Sequence, residues 1–123
     1  MVLTYFFDTY AFYEIMAANP NYQKYTINTS IILTRLNLME FYYGLLVKYS
    51  QKVAERCYNM FVKYTIELTD DIIKKAMQFR FLNKNKNLSY VDCIGYITAI
   101  QHNVKFLTGD PAFKDLENVE FVE

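Results

Sequence analysis

Apolar positions in this chain fall into short runs separated by capped stretches of helical periodicity. Val2 to Phe7 is a short apolar run and predicts a strand. It stops at Asp8-Thr9, which can cap a helix running through Phe12, Ile15 and Met16. Asn19-Pro20-Asn21 breaks that helix. Thr26 to Ile32 is rich in β-branched residues and holds a second strand, unless a helix starts as early as Ser30. Leu33 to Tyr49 is helix-periodic, with Leu36, Glu40, Tyr43 and Val47 on one face. Gln51 to Val62 is another helix, with Val53, Cys57, Met60 and Phe61 as its apolar stripe. Thr65 to Leu68 reads as a short strand, and Thr69 caps a helix that begins Asp70-Asp71 and continues through Ile73, Met77 and Leu82. Acids in its first turn suit the helix dipole. Asn83 to Asn87, NKNKN, is a polar, basic loop. Ser89 caps a helix from Tyr90 to Gln101, and Val104 to Thr108 is a strand ending at Gly109-Asp110-Pro111. Val119 to Val122 is a last short strand.

Strands alternating with helices require crossover connections, hence a mostly parallel sheet with helices on both faces. The expectation is a three-layer α/β/α domain over residues 1–123, with a central sheet of about five short strands. The strands Val2 to Phe7 and Val104 to Leu107 are apolar apart from Thr4 and Lys105, as strands covered on both faces should be.

The 53% apolar content, with 12 Tyr and 10 Phe, excludes disorder. With 13 basic and 13 acidic residues the net charge is zero, which excludes a histone-like or polybasic membrane binder but not a local basic patch. Cys57 and Cys93 lie in helix-like patterns, and MVLTYFFDTY lacks the basic start of a signal peptide. Reduced thiols and a cytoplasmic protein without a membrane span are expected.

Parallel sheets bind ligands beyond the carboxyl ends of their strands. Asp8 and Asp110 each follow an apolar strand and emerge on the same rim if the strands are parallel. Each has a plainer reading, Asp8 as a helix cap and Asp110 as a turn residue before Pro111. Glu40 sits among Leu38, Met39, Phe41 and Tyr42, where a carboxylate needs a cation, a metal or a proton. Pairing with Arg35 or Lys48, or a wet helix face, would also account for it. Asp92 has the capping-box spacing from Ser89, so it either braces its own helix or faces the same rim from the first turn. Carboxylates gathered without a cation repel, by about 4 kcal/mol for a pair at ~4 Å and an effective dielectric near 20. Such a cluster takes up protons or binds a cation, and oxygen ligands favour Mg²⁺ or Mn²⁺ over zinc. The lone His102 and the distant cysteines cannot make a zinc site, and His102 reads as a helix end.

FFDTYAF, LMEFYYG, SYVDCIGYITAI and VKFLTGDPAF resemble, in order and spacing, the four acidic motifs of PIN domains. The small size resembles the toxin ribonucleases of VapBC toxin–antitoxin pairs. By that resemblance Asp8, Glu40 and Asp92 are the core metal-binding acids and Asp110 the fourth, more variable one. Thr9, Thr108 and Ser89 match supporting hydroxyl positions. The implied reaction is Mg²⁺- or Mn²⁺-dependent hydrolysis of RNA phosphodiester bonds. The implied partners are a second copy of the chain and an antitoxin segment. Two departures stand out: Ala112-Phe113 replaces the Asp-Phe pair of many relatives, and the helix between the last two motifs is bulky at Tyr96 and Ile97. The nearest later acid, Asp115, reads as a solvated turn residue.

RNA needs cations to hold it. Arg80, Lys84 and Lys86, with Lys74 and Lys75 one turn behind, offer phosphate contacts or simply a solvated face, while Arg35 is the better candidate for the rim. Exposed Tyr could stack unpaired bases, and surplus aromatics suit an interface. The rivals are an RNA-processing nuclease without an antitoxin and a non-catalytic RNA- or protein-binding module. A receiver-type phosphoacceptor is disfavoured because the first strand ends in one acid rather than a pair.

Overall fold

The computed structural model describes residues 2–123. Its sheet has strands β1 (Leu3–Phe7), β2 (Thr29–Ile32), β3 (Lys105–Thr108) and β4 (Val119–Phe121), in the order β2-β1-β3-β4. Every pairing is parallel. The chain leaves β1 towards β2 on one side and returns to β3 on the other. The order therefore reverses between β1 and β3, where open α/β sheets form their crevice.

The helices are α1 (Thr9–Met16), α2 (Arg35–Lys48), α3 (Gln51–Phe61), α4 (Asp70–Leu82) and α5 (Tyr90–Gln101). Each starts at the residue the sequence marked, or within two of it. Thr34, Ser50, Thr69 and Ser89 cap α2 to α5 through their hydroxyls. Among the described residues no helix is long and apolar enough to cross a membrane.

Two layers pack on the sheet, sorted by strand alternation. Phe6 and Phe106 point to the α5 side, where Gly95 lets the helix settle close above both rings. Tyr96 and Phe113 complete that layer, their rings 5.9 and 4.7 Å from Phe106. Phe7 points the other way, to Phe12 of α1, which meets Phe41 and Phe61 of α2 and α3.

Three expectations need correction. Thr65 to Leu68 is not a fifth strand: it makes one isolated bridge, Thr65 to Leu33. Just beyond Leu33, the backbone of Thr34 turns into the cap of α2, so nothing remains to pair with. The face of α2 that goes inward is Asn37, Leu38, Phe41 and Leu45, whereas Tyr43 and Val47 are exposed. Apolar residues surround this helix, so period alone cannot choose a face; the rings of Phe12, Tyr13 and Phe61 around Phe41 do. Finally, β1 is fully buried only at Phe6 and Phe7; Thr4 and Tyr5 are partly covered, while Val2 and Leu3 are exposed.

The sheet's far edge is tied down by the 3-10 segment Pro20–Thr26. Tyr22 donates its hydroxyl to the Val122 carbonyl at 2.6 Å, and Tyr25 donates to Glu120 at 2.5 Å. Asn21 donates to the Glu123 carbonyl at 3.0 Å. Gly109, at the end of β3, lies under this clasp. A Cβ there would stand 2.4 Å from the Val122 carbonyl oxygen and 2.6 Å from the Tyr22 hydroxyl. Gly109→Ala is therefore expected to cost about 1–3 kcal/mol, read as a lower urea midpoint with an unchanged slope.

Candidate active site

Asp8 stands at the carboxyl end of β1, and its backbone N–H donates to the Leu107 carbonyl of β3 at 3.1 Å. The residue is buried, with 4% exposure. Its Oδ1 accepts from the Thr9 N–H at 2.9 Å and its Oδ2 from the Thr108 hydroxyl at 2.7 Å. This is more than a helix cap, because the second bond crosses to the neighbouring strand. Burial pushes the Asp8 carboxyl up to about 7, against those two hydrogen bonds and with the charges of Asp92 and Asp110 adding to the rise.

Glu40 reaches the same place from α2. Its Oε1 accepts from the Thr9 hydroxyl at 3.1 Å. Half-buried, it too is pushed above its ordinary value, chiefly by desolvation and further by Asp92. Neither cation proposed for it arrives. Lys48 lies over the Tyr13 ring, 4.6 Å from its centroid, and Arg35 is exposed. Among the described residues the one ion pair is Asp71–Lys75.

Asp92 does both things its spacing allowed. The capping box is complete: the Ser89 Oγ accepts from the Asp92 N–H at 3.0 Å, and the Asp92 Oδ2 accepts from the Ser89 N–H at 2.9 Å. The same carboxylate feels Asp110, and burial raises it in spite of the capping bonds. Asp110 follows β3, where its N–H donates to the Thr108 hydroxyl at 3.1 Å and its Oδ1 accepts from the Ala112 N–H at 3.0 Å. Thr108 thus joins Asp8 to Asp110, Thr9 joins Asp8 to Glu40, and Ser89 holds Asp92.

Four carboxylates are thereby drawn towards one rim of the switch-point crevice with no cation among them. An all-oxygen, uncompensated set has the chemistry of a hard divalent cation site. Among the described residues, however, no three His, Cys, Asp or Glu side chains stand close enough to grip one ion as placed. Asp92 Oδ1 and Glu40 Oε2 carry no hydrogen bond.

Arg35 is the first residue of α2 and borders a cavity of about 360 Å³ with Leu36, Ile66, Glu67 and Leu68. Arg80, Lys84 and Lys86 lie near the start of α5. His102 ends α5, Asp115 is exposed, and both cysteines are free thiols.

Two features escaped sequence reasoning. Asn37, one turn ahead of Glu40, is buried with its side-chain amide nitrogen unpartnered. Its only signal was the three-residue spacing from Thr34, whose hydroxyl donates to the Asn37 Oδ1 at 2.5 Å. Gly44 gives room to Tyr13, whose hydroxyl fills the space a Cβ would need. That pairing joins α1 to α2 one turn beyond the Thr9–Glu40 bond, and nothing in the sequence announces it.

No curated protein sequence matches the chain. Solved structures do share its fold. It is similar to the sarcin-ricin-loop-cleaving toxin VapC20 of Mycobacterium tuberculosis, with 14% identity and a TM-score of 0.80 over 97% of this chain and 99% of that one. A toxin–antitoxin complex from Klebsiella pneumoniae gives 17% identity and a TM-score of 0.73 over 94% of each chain. VapBC2 of Rickettsia felis, bound to a DNA fragment from its promoter, gives 18% and 0.70 over 98% and 100%. The PIN domain model matches residues 5–119, nearly the whole length, and the chain belongs to the PIN domain family.

Proposed function

We propose that this protein is a metal-dependent endoribonuclease, the toxin of a toxin–antitoxin pair, acting in the cytoplasm as a homodimer. The observation that carries the reading is the set of uncompensated carboxylates Asp8, Glu40, Asp92 and Asp110 on one rim, three of them held above their ordinary pKa by burial and mutual repulsion. The similarity in fold to VapC20 and to toxin–antitoxin complexes supports the choice of RNA and of an antitoxin partner. Exposed Met39, Tyr43 and Val47 on α2 give a protein partner an apolar stripe.

Asp8, Glu40, Asp92 and Asp110 would hold Mg²⁺ or Mn²⁺. When bound, the ion supplies charge for a phosphate oxygen and acidifies the attacking water. Thr9 and Thr108 fix the Asp8 carboxylate through one oxygen each. Thr9 also fixes Glu40 by one oxygen, leaving the other to accept a proton from water. The capping box orients Asp92 in the first turn of α5, and Thr108 receives the Asp110 N–H so that the turn after β3 stays at the rim.

The test is cleavage of a mixed pool of single-stranded and structured RNAs, with Mn²⁺, Mg²⁺ or EDTA, by wild type and Glu40→Gln. Gln keeps the acceptor for Thr9 and replaces the charged second oxygen with a neutral amide nitrogen. Cutting by wild type with metal, and a loss on the order of a hundredfold or more in the variant, is expected. Equal cutting by both proteins overturns the assignment.

A further inference from the structure

Tyr90 is the first residue of α5, two positions before Asp92, and is 62% exposed. The Arg80 guanidinium lies over its ring, 4.5 Å from the centroid. Arg80 is pinned there, because its Nε donates to the Leu88 carbonyl at 3.0 Å. The left-handed Asn87, at φ 58°, makes the turn that brings Leu88 back against α4. The guanidinium has no acid partner and no other hydrogen bond among the described residues. A second pair of the same kind lies close by in sequence, Lys84 over the exposed ring of Phe81 at 4.7 Å. Between Asp71 and Asp92 the sequence has five cations and no acid.

Each part of this patch asks for something different. The terminal nitrogens of Arg80 want an anion with paired oxygens. The open side of the Tyr90 ring wants a flat partner. A duplex offers phosphates but keeps its bases stacked inside, and a carboxylate side chain offers no plane. An unpaired nucleotide offers both at once.

We propose that the Arg80–Tyr90 pair, at the start of the helix that carries Asp92, is a subsite for an unpaired RNA nucleotide. Tyr90 stacks the base, and Arg80 takes that nucleotide's phosphate. The proposal rests on the nuclease reading of the acidic cluster, so binding is measured apart from cutting.

The probes are a short labelled oligouridylate and an RNA hairpin stem of similar charge. Both are titrated by fluorescence anisotropy in EDTA against wild type, Tyr90→Leu, Tyr90→Phe and Arg80→Gln, with melting curves for each protein. Tyr90→Leu should weaken oligouridylate binding on the order of tenfold and leave stem binding unchanged. Tyr90→Phe should keep the wild-type affinity. Arg80→Gln should reduce the slope of log affinity against log salt by about 0.7, one phosphate contact on a single strand. Unchanged oligouridylate binding in Tyr90→Leu overturns the subsite, as does equal loss on both probes. So does unchanged RNA binding with an altered mass by light scattering, which would assign the face to a protein contact. Cleavage by wild type with Mn²⁺ is scored separately. Cutting with unaltered Tyr90→Leu binding removes the subsite alone, and selective loss of oligouridylate binding without cutting keeps the subsite and removes the nuclease.

Discussion

Replacing Asp8 with Asn is expected to abolish metal-dependent RNA cleavage while raising the melting temperature of the metal-free protein at pH 8. Both effects come from one buried charge. The folded protein holds the Asp8 proton up to a pH of about 7, against about 3.9 for an ordinary Asp. Between these values the folded state binds more protons than the unfolded one. Its stability is full below about pH 4, falls as pH rises, and flattens above about 7. That window amounts to about 4 kcal/mol. Asn removes the Asp8 contribution to that slope. It still accepts from the Thr9 N–H but can only donate to Thr108, a mismatch worth about 1 kcal/mol. The net gain at pH 8 is about 2–3 kcal/mol, or roughly 6–12 °C at this size. At pH 4 the variant should melt at or below wild type. Cleavage should fall on the order of a thousandfold, and Mn²⁺ should raise the wild-type melting temperature more than the variant's. Melts in EDTA at the two pH values, then with Mn²⁺, check all of this. A variant destabilised equally at both pH values would show that the Asp8 charge costs nothing in the folded state.

Phe106→Ala should lower stability by about 3–5 kcal/mol, a large share of the 5–15 kcal/mol of an ordinary domain. The Phe106 ring is wholly buried. It stacks on Phe6 at 5.6 Å and meets Tyr96 and Phe113 at 5.9 and 4.7 Å. Its Cε1 lies 3.2 Å from where a Gly95 Cβ would be, so α5 rests directly on it. Deleting the ring opens a void under the helix that carries Asp92. Activity should therefore fall by more than the unfolded fraction accounts for. Urea unfolding reads the first effect and cleavage below the transition reads the second. Phe106→Leu should recover about half the stability loss. A loss under about 1 kcal/mol would show that this layer is not the core.

What the sequence made legible was local. A cap is written in a few adjacent residues, so Asp8-Thr9, Thr69 and Ser89 marked their helices. An apolar run ending in an acid marks both a strand and its rim, and Asp8 and Asp110 were readable for that reason. Glu40 was readable because an acid inside LMEFYYG has to be explained. Choices made by distant partners were not legible. The Phe41 face of α2 is selected by rings from α1 and α3. Thr65 to Leu68 has strand composition but no neighbour to pair with beyond Leu33. The stacking of Arg80 on Tyr90 depends on a left-handed Asn87 that NKNKN does not single out.

The joining of β1 to β3 has a consequence in time. The Thr108–Asp8 hydrogen bond spans 100 residues. During synthesis β1 can pair with β2 early, yet its other edge stays open until β3 emerges. Helix α1 can form at once, but Asp8 lacks its Thr108 partner and its cover. The acidic rim is thus among the last parts of the molecule to be assembled. Long-range parallel pairing of this kind also closes slowly. Through that interval the open edge of β1, with Phe6 and Phe7 unburied, is prone to aggregate.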